Sequence, residues 1–357
     1  MKAWVLHGVN DLRLEEIPVP ELKAGEVLVE VRAAGICGSD IPRIYKTGTY
    51  SFPTIPGHEF SGEVVKVGPE ADGSWQGKRV GVFPLIPCKT CAPCRKTMYE
   101  MCRNYSYLGS RQNGGFAEYA AVPAENLLEL PVSITFEEAA MLEPMAVAVH
   151  ALRRLSPRPE ETVAVCGLGT IGMLLIMFLR DAGAKNILAI GNKEFQKYML
   201  SKQHITGENF CDSSRENAVQ WLMDKTGGRG ADVFFECVGK NETVLQAIDA
   251  AAPGGRVCLA GNPYSGMTLD KNTYWKILRN QLTVIGTWNS SFTHTSDDDW
   301  NYILKRLALG RIHPTDIITH RFSLEQIKCG LDIMYRKKDN YIKIIETSVG
   351  SNNFVEV

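Results

Sequence analysis

Short runs in which apolar and polar positions alternate occupy the first third of the chain, at residues 2–6, 12–17, 27–36, 60–67, 79–83 and 116–122. A period of two turns one face of each run toward a core and the other toward water, which is the pattern of a strand. Glycine and proline punctuate the runs at Gly25, Gly35, Gly68, Pro69, Gly77, Gly114 and Gly115, so this part is expected to form a small barrel or sandwich. The period changes over 135–155, where apolar residues recur at helical spacing until Pro157 and Pro159 interrupt them. Apolar strands at 162–166, 186–190, 209–211, 233–236, 256–260 and 283–285 then alternate with helical segments, which predicts a doubly wound parallel sheet. The remainder, 288–357, mixes both signals and is expected to return to the first part. The pattern thus predicts an α/β chain with a β-rich domain from 1–150 and 288–357 and a doubly wound domain from 151–287.

Length agrees with two domains, because 357 residues exceed what one compact core ordinarily supports. Charge excludes more than it suggests. Thirty-nine basic against forty acidic side chains leave a formal charge of -1, with no field to draw nucleic acid or a membrane surface. No run approaches the roughly eighteen apolar residues of a spanning helix, and Met1-Lys2-Ala3-Trp4-Val5-Leu6-His7 turns polar before a signal core can form. A cytoplasmic protein acting on small molecules is the expectation. In that setting ten cysteines point to metal rather than to a disulfide framework.

Four of them, Cys88, Cys91, Cys94 and Cys102, lie within one short lobe at about 86–104. Four thiolates close a tetrahedral shell, which is the chemistry of a structural zinc site. The stretch 37–59 differs. Cys37-Gly38-Ser39-Asp40 precedes Gly57-His58-Glu59, and a thiolate with an imidazole supplies only two firm ligands. A third comes from Glu59 or from a carboxylate elsewhere, of which Glu143 is the best placed, since a carboxylate in the apolar stretch Ala139-Ala140-Met141-Leu142-Glu143-Pro144-Met145 needs a partner if it is buried. Such a shell keeps a position open for catalysis. Asp40 can orient the His58 ring. Ser39 can pass a proton from a bound alcohol toward solvent, although Gly-Ser-Asp is also ordinary turn chemistry.

Gly167-Leu168-Gly169-Thr170-Ile171-Gly172 follows the apolar strand Val163-Ala164-Val165-Cys166 and opens a helix. The glycines permit a tight turn and close approach of a pyrophosphate, whose charge sits at the helix N-terminus. An acidic residue some twenty positions on would hold the ribose diol of NAD; here that place reads Gly191-Asn192-Lys193. An amide and an ammonium beside a glycine that leaves room favour a 2′-phosphate, so NADP(H) is expected over NAD(H). Glu194 reads as the first-turn acid of the next helix.

Together with Gly114-Gly115-Phe116-Ala117-Glu118-Tyr119 and Glu143-Pro144, these motifs resemble the zinc-dependent medium-chain dehydrogenases, the sorbitol and alcohol dehydrogenase group, over essentially the whole chain. Ile41-Pro42-Arg43-Ile44-Tyr45-Lys46, Gly109-Ser110-Arg111 and Lys276-Ile277-Leu278-Arg279 with Leu282-Thr283-Val284-Ile285-Gly286-Thr287-Trp288 narrow the resemblance to the polyol-phosphate branch. It implies a GroES-like catalytic domain joined to a Rossmann domain, with the active site in the cleft between them. It also implies two zinc ions per chain, one structural and one catalytic, the latter held by Cys37, His58 and Glu143 with Glu59 as a further, exchangeable ligand. Arg43 and Lys46 are the candidate partners of a substrate dianion, and Trp288 and Asn289 join them as candidate substrate contacts. A homodimer or homotetramer is implied, through edge strands near 283–290. Gly191 departs from the branch, where an aspartate marks NAD use.

The expected activity is reversible oxidation of a secondary alcohol of a polyol, or of a polyol phosphate such as galactitol 1-phosphate, to the ketone. An unphosphorylated polyol, another secondary alcohol or threonine is the alternative substrate. A non-catalytic binding protein on the same fold is the alternative outside enzymology.

Overall fold

In the computed structural model, which describes residues 1–263 and 265–347, the chain divides into two compact units, Met1–Glu143 with Ser291–Val357, and Pro144–Ser290. The first opens with an antiparallel pair, β1 (Lys2–Gly8) and β2 (Asp11–Glu16). β3 (Glu26–Ile36) leads through the short α1 (Asp40–Pro42) and a π-helical turn at Arg43–Thr47 to β4 (Glu59–Val67) and β5 (Arg79–Val82). Two very short strands, β6 (Leu85–Ile86) and β7 (Ser106–Tyr107), pair across the base of the cysteine lobe. β8 (Tyr119–Pro123) and β9 (Leu127–Glu129) follow.

The helical stretch expected over 135–155 is two helices, α2 (Phe136–Ala140) and α3 (Leu142–Leu155). Thr135 starts the first by a reciprocal cap: its hydroxyl accepts from the Glu138 N–H at 3.2 Å, and the Glu138 carboxylate accepts from the Thr135 N–H at 2.8 Å. Pro144 is tolerated because it falls in the first turn of α3, where its missing N–H would have no partner anyway.

The second unit holds the remaining strands of the alternating pattern: β10 (Thr162–Cys166), α4 (Thr170–Asp181), β11 (Asn186–Gly191), α5 (Glu194–Lys202), β12 (Phe210–Asp212), α6 (Ala218–Lys225), β13 (Ala231–Glu236), α7 (Asn241–Asp249), β14 (Ala251–Leu259), α8 (Lys271–Arg279) and β15 (Thr283–Gly286). All neighbours pair in parallel, in the order β12-β11-β10-β13-β14-β15. The strand order therefore reverses beside β10, and a ligand of such a sheet sits at that switch point, outside the carboxyl ends of the strands. The central strands read as continuous apolar runs because both faces are covered, and all five residues of β10 are buried.

The chain then returns. α9 (Asp299–Ala308) seats Trp300 against Phe83 and Phe292, with ring centroids 5.4 and 5.7 Å away. Packing of this kind adds about 0.5–1.5 kcal/mol per aromatic pair beyond the area buried. β16 (Ile318–Phe322), α10 (Ile327–Arg336) and β17 (Lys343–Thr347) complete the unit, and the seven-stranded sheet runs β16-β17-β3-β4-β5-β9, with β8 also on β3. This sheet sets β17, from the far end of the chain, directly beside β3.

One buried group on β17 predicts a pH dependence. Glu346 is 3% exposed, its Oε2 has no hydrogen-bond partner, and burial, with the Glu325 charge adding to it, pushes its carboxyl up to about 8. The folded state therefore holds a proton that the unfolded chain releases near pH 4.5, so stability is present below that pH and is lost as pH rises toward 8. Glu346→Gln is expected to flatten this slope, by on the order of a few kcal/mol between pH 5 and 8. Urea unfolding at both pH values checks it, and equal slopes in the two proteins would count against the buried neutral carboxyl.

Among the described residues no helix is long and apolar enough to cross a membrane.

Candidate functional site

The cysteine lobe gathers its four sulfurs within 4.8 Å of one another. Cys91 Sγ lies 3.4 Å from Cys94 Sγ and 3.9 Å from Cys102 Sγ, and the Cys88 N–H points at Cys102 Sγ from 3.2 Å. Four sulfurs around a zinc ion at 2.3 Å would stand about 3.8 Å apart, so the lobe fits a closed shell. Hydrogen bonds from Thr90 pull the Cys88 thiol down to about 5, which favours the thiolate a metal requires, whereas burial pushes Cys94 up to about 12.

The second cluster is Cys37, His58 and Glu59, whose ligand atoms likewise fall within 4.8 Å of one another. Cys37 follows β3 directly, and Glu59 opens β4, so the β3–β4 pairing brings them together; Gly35 sits opposite Glu59 in that register. Asp40 is fully buried behind them. Its Oδ2 accepts from the Cys37 N–H at 3.0 Å, and its Oδ1 lies 3.2 Å from His58 Nδ1 and 3.7 Å from the Arg43 guanidinium. Burial works against the charge of both members of the Asp40–His58 pair, but their mutual attraction outweighs it: Asp40 is held below the usual carboxylate range and His58 well above the usual imidazole range. Ser39 Oγ donates to Cys37 Sγ at 3.3 Å and accepts from Arg43 Nη1 at 3.1 Å. Arg43 is thus engaged inside the site, while Lys46 is exposed to solvent.

Glu143 lies outside the cluster of three but beside it. It is buried, accepts from Tyr107 Oη at 3.1 Å, and is pushed up to about 7 by burial and the neighbouring Glu59, against the opposing charges of His58 and Lys343. Tyr107 packs edge-on against His58 with centroids 5.6 Å apart.

Two further participants lie outside every sequence motif. Lys343, at the start of β17 and 1% exposed, bonds Glu59 Oε2 and donates to the Ile36 carbonyl at 3.0 Å. A Cβ on Gly35 would lie 2.3 Å from Glu59 Oε2 and 2.8 Å from Lys343 Cε, so only glycine lets this pair cross β3. A lone cation in the apolar run Tyr341-Ile342-Lys343-Ile344-Ile345 was the available signal. Gln196 is the other. Its Oε1 accepts from the Asn192 N–H at 2.9 Å and its Nε2 donates to the Leu168 carbonyl at 3.2 Å, tying the end of β11 to the glycine loop. It also fills the space beside Gly191, where a Cβ would meet Gln196 Oε1 at 2.4 Å and Leu168 Cδ1 at 2.8 Å.

The loop itself has the geometry the glycines predict. Gly167 takes φ +97°, Gly169 caps α4 without a side chain, Thr170 and Ile171 begin the helix, and a Cβ on Gly172 would lie 2.0 Å from the Gly167 carbonyl oxygen. Asn192 and Lys193 are exposed at the end of β11, and Glu194 opens α5 as expected. Trp288 is exposed in the second unit; Asn289 is left-handed at φ 55° and accepts from the Ser290 N–H with its own side chain.

Comparison with known proteins gives these two units a family. Residues 23–132 match the alcohol dehydrogenase GroES-like domain, and residues 170–308 match the zinc-binding dehydrogenase family. Galactitol 1-phosphate 5-dehydrogenase of Escherichia coli (strain K12) is 35% identical over 326 residues, 91% of this chain and 94% of that protein. The crystal structure of galactitol-1-phosphate dehydrogenase from Escherichia coli superposes with a TM-score of 0.90 at 33% identity, covering 97% of this chain and all of the other. A zinc-binding dehydrogenase of Sinorhizobium meliloti 1021, solved bound to NADP, superposes with a TM-score of 0.87 at 27% identity over 97% and 98% of the two chains. The chain belongs to the zinc-binding dehydrogenases of the medium-chain alcohol and polyol dehydrogenase family, oxidoreductases built from a GroES-like domain and a Rossmann domain.

Proposed function

We propose that the protein interconverts a secondary alcohol of a polyol phosphate, galactitol 1-phosphate or a close isomer, and the corresponding ketone, with NADP(H) as hydride carrier. The Cys37–His58–Glu59 cluster carries the reading, because it joins a thiolate, an imidazole and a carboxylate in a shell that is incomplete without a further ligand. Likeness to galactitol 1-phosphate 5-dehydrogenase supports the substrate class.

Cys37 and His58 are the firm ligands in this reading, Glu143 the third, and Glu59 the exchangeable one, since Lys343 already claims one of its oxygens. The four cysteines of the lobe hold a second, structural zinc. Asp40 keeps the His58 ring oriented from Nδ1, leaving Nε2 as the nitrogen that ligates. When bound, zinc supplies Lewis acidity toward the substrate hydroxyl and the nicotinamide accepts hydride from the carbinol carbon. Ser39 Oγ, hydrogen-bonded to Cys37 Sγ, receives the hydroxyl proton and hands it toward solvent; Arg43 holds the Ser39 hydroxyl in place.

Gly167, Gly169, Thr170, Ile171 and Gly172 cradle the pyrophosphate, and Gly191, Asn192 and Lys193 meet the adenosine 2′-phosphate. Gln196 makes this preference hard to reverse. Gly191→Asp alone is expected to overpack the site, cost about 1–3 kcal/mol, and leave the NADP-to-NAD ratio of kcat/KM little changed. Gly191→Asp with Gln196→Gly is expected to lower that ratio at least about tenfold. A single variant that switches cofactor without loss of thermal stability would show that Gln196 does not occupy the space.

Self-association is read from the second unit. β15 is an edge strand with Thr283, Val284 and Gly286 exposed, and α8 just before it exposes Tyr274, Trp275 and Leu278. Edge strands with apolar side chains pair unless something covers them, and a second copy of the same edge is the self-complementary partner. Val284→Lys is expected to convert a dimer into monomers in sedimentation velocity; an unchanged dimer would place the interface elsewhere.

A panel of phosphorylated and unphosphorylated polyols, secondary alcohols and threonine, run with NADP and with NAD, tests the whole assignment. The highest kcat/KM is expected for a hexitol phosphate with NADP, and a tenfold preference for an unphosphorylated substrate would overturn the phosphate part.

A further inference from the structure

We infer that Arg111 is the anchor for the substrate's phosphate group; this rests on the dehydrogenase reading above and names the side chain that distinguishes a phosphorylated polyol from its parent. The Arg111 guanidinium packs on two aromatic rings, its central carbon 3.8 Å from the Tyr50 ring centroid and 4.7 Å from that of Tyr105. Its Nε is buried without a hydrogen-bond partner, and among the described residues no carboxylate or carbonyl meets the rest of the group. A guanidinium held by aromatic rings offers a ligand its edge, which carries N–H donors in a planar fork. Two oxygens of a phosphate monoester match such a fork in charge and in geometry.

The loop that carries Arg111 is fastened to the metal cluster. The Arg111 N–H donates to the Tyr107 carbonyl at 2.9 Å, and the Gly115 N–H donates to the Gly57 carbonyl at 2.8 Å. Gly109 and Gly114 press so closely on Gly57 that a Cβ on either would lie 2.7 or 2.0 Å from its carbonyl oxygen. Gly57 directly precedes His58. A second path runs through aromatic rings, from Tyr105 to Tyr107 at 6.2 Å between centroids and from Tyr107 to His58 at 5.6 Å. The loop fastened beside His58 thus carries a cation that no carboxylate compensates among the described residues. The other candidates serve less well: Arg43 is engaged by Asp40 and Ser39, and Lys46 is a solvated point charge.

The test uses the zinc-loaded enzyme saturated with NADP. Arg111→Met is expected to raise KM for galactitol 1-phosphate about ten- to a hundredfold with kcat within twofold, and to leave kcat/KM for galactitol unchanged. Arg111→Lys is expected to recover part of the loss. In parallel, calorimetric titration with inorganic phosphate should show binding to the wild type that weakens at least tenfold in Arg111→Met. Equal losses on both polyols would make Arg111 a structural residue and overturn the inference. So would phosphate that binds both proteins equally, or fails to bind the wild type. If the wild type does not oxidise galactitol 1-phosphate, yet phosphate binding still depends on Arg111, the substrate assignment falls and the anion anchor stands.

Discussion

Cys37→Ala is expected to lose one zinc equivalent and to lower kcat/KM by about a thousandfold or more while the fold persists. The thiolate is the only ligand in its cluster that belongs to β3 and its turn, and Ser39 and Asp40 are both arranged around it, through Sγ and through the Cys37 N–H. Lewis-acid activation lowers the barrier of such a reaction by several kcal/mol, and each 1.36 kcal/mol is a factor of ten in rate. Zinc analysis with far-ultraviolet circular dichroism separates this outcome from unfolding, because the four cysteines of the lobe are expected to retain one equivalent when the variant folds. Full turnover with the variant would remove the cluster from the mechanism.

Lys343→Met is expected to destabilise the first unit by about 3–5 kcal/mol, because it leaves the buried Glu59 carboxylate without its cation. Pairing it with Glu59→Gln removes the stranded charge, and the double variant is expected to recover most of the loss. That non-additivity is the signature of a direct buried pair. Urea unfolding of the two single variants and the double variant measures it; additive losses would mean that Lys343 acts through the Ile36 carbonyl instead.

Periodicity revealed both sheets, because strands of a half-buried barrel alternate and strands of a doubly wound sheet are apolar throughout. It missed β6, β7 and β9, whose two or three residues carry no period, and it placed neither β16 nor β17 within the mixed signals of 288–357. It also ran α2 and α3 together, since the break at Met141 interrupts the backbone without changing the apolar pattern. The cysteine lobe and the glycine loop were legible because their chemistry is local, with every ligand or turn residue inside one short segment. The Cys37 cluster was half legible. Cys37, Asp40, His58 and Glu59 sit close in sequence, but Lys343 reaches Glu59 only through the pairing of β17 with β3, across some three hundred residues. At Gly191 the sequence predicts the missing Cβ, and the packing of α5 adds that the Gln196 side chain lies against that position, beside the exposed Asn192 and Lys193. Arg111 lay in a motif noticed for its likeness, with no role attached, because its two stacking partners come from separate loops.

In the proposed reaction the cluster of Cys37, His58 and Glu59, with Glu143 beside it, binds the zinc ion at which the alcohol is oxidised. Crystals of the zinc-loaded protein measured on both sides of the zinc absorption edge test it directly. One anomalous peak is expected within the lobe of Cys88, Cys91, Cys94 and Cys102 and a second between Cys37, His58 and Glu143. A peak in the lobe alone, from protein that is active when crystallised, would contradict it.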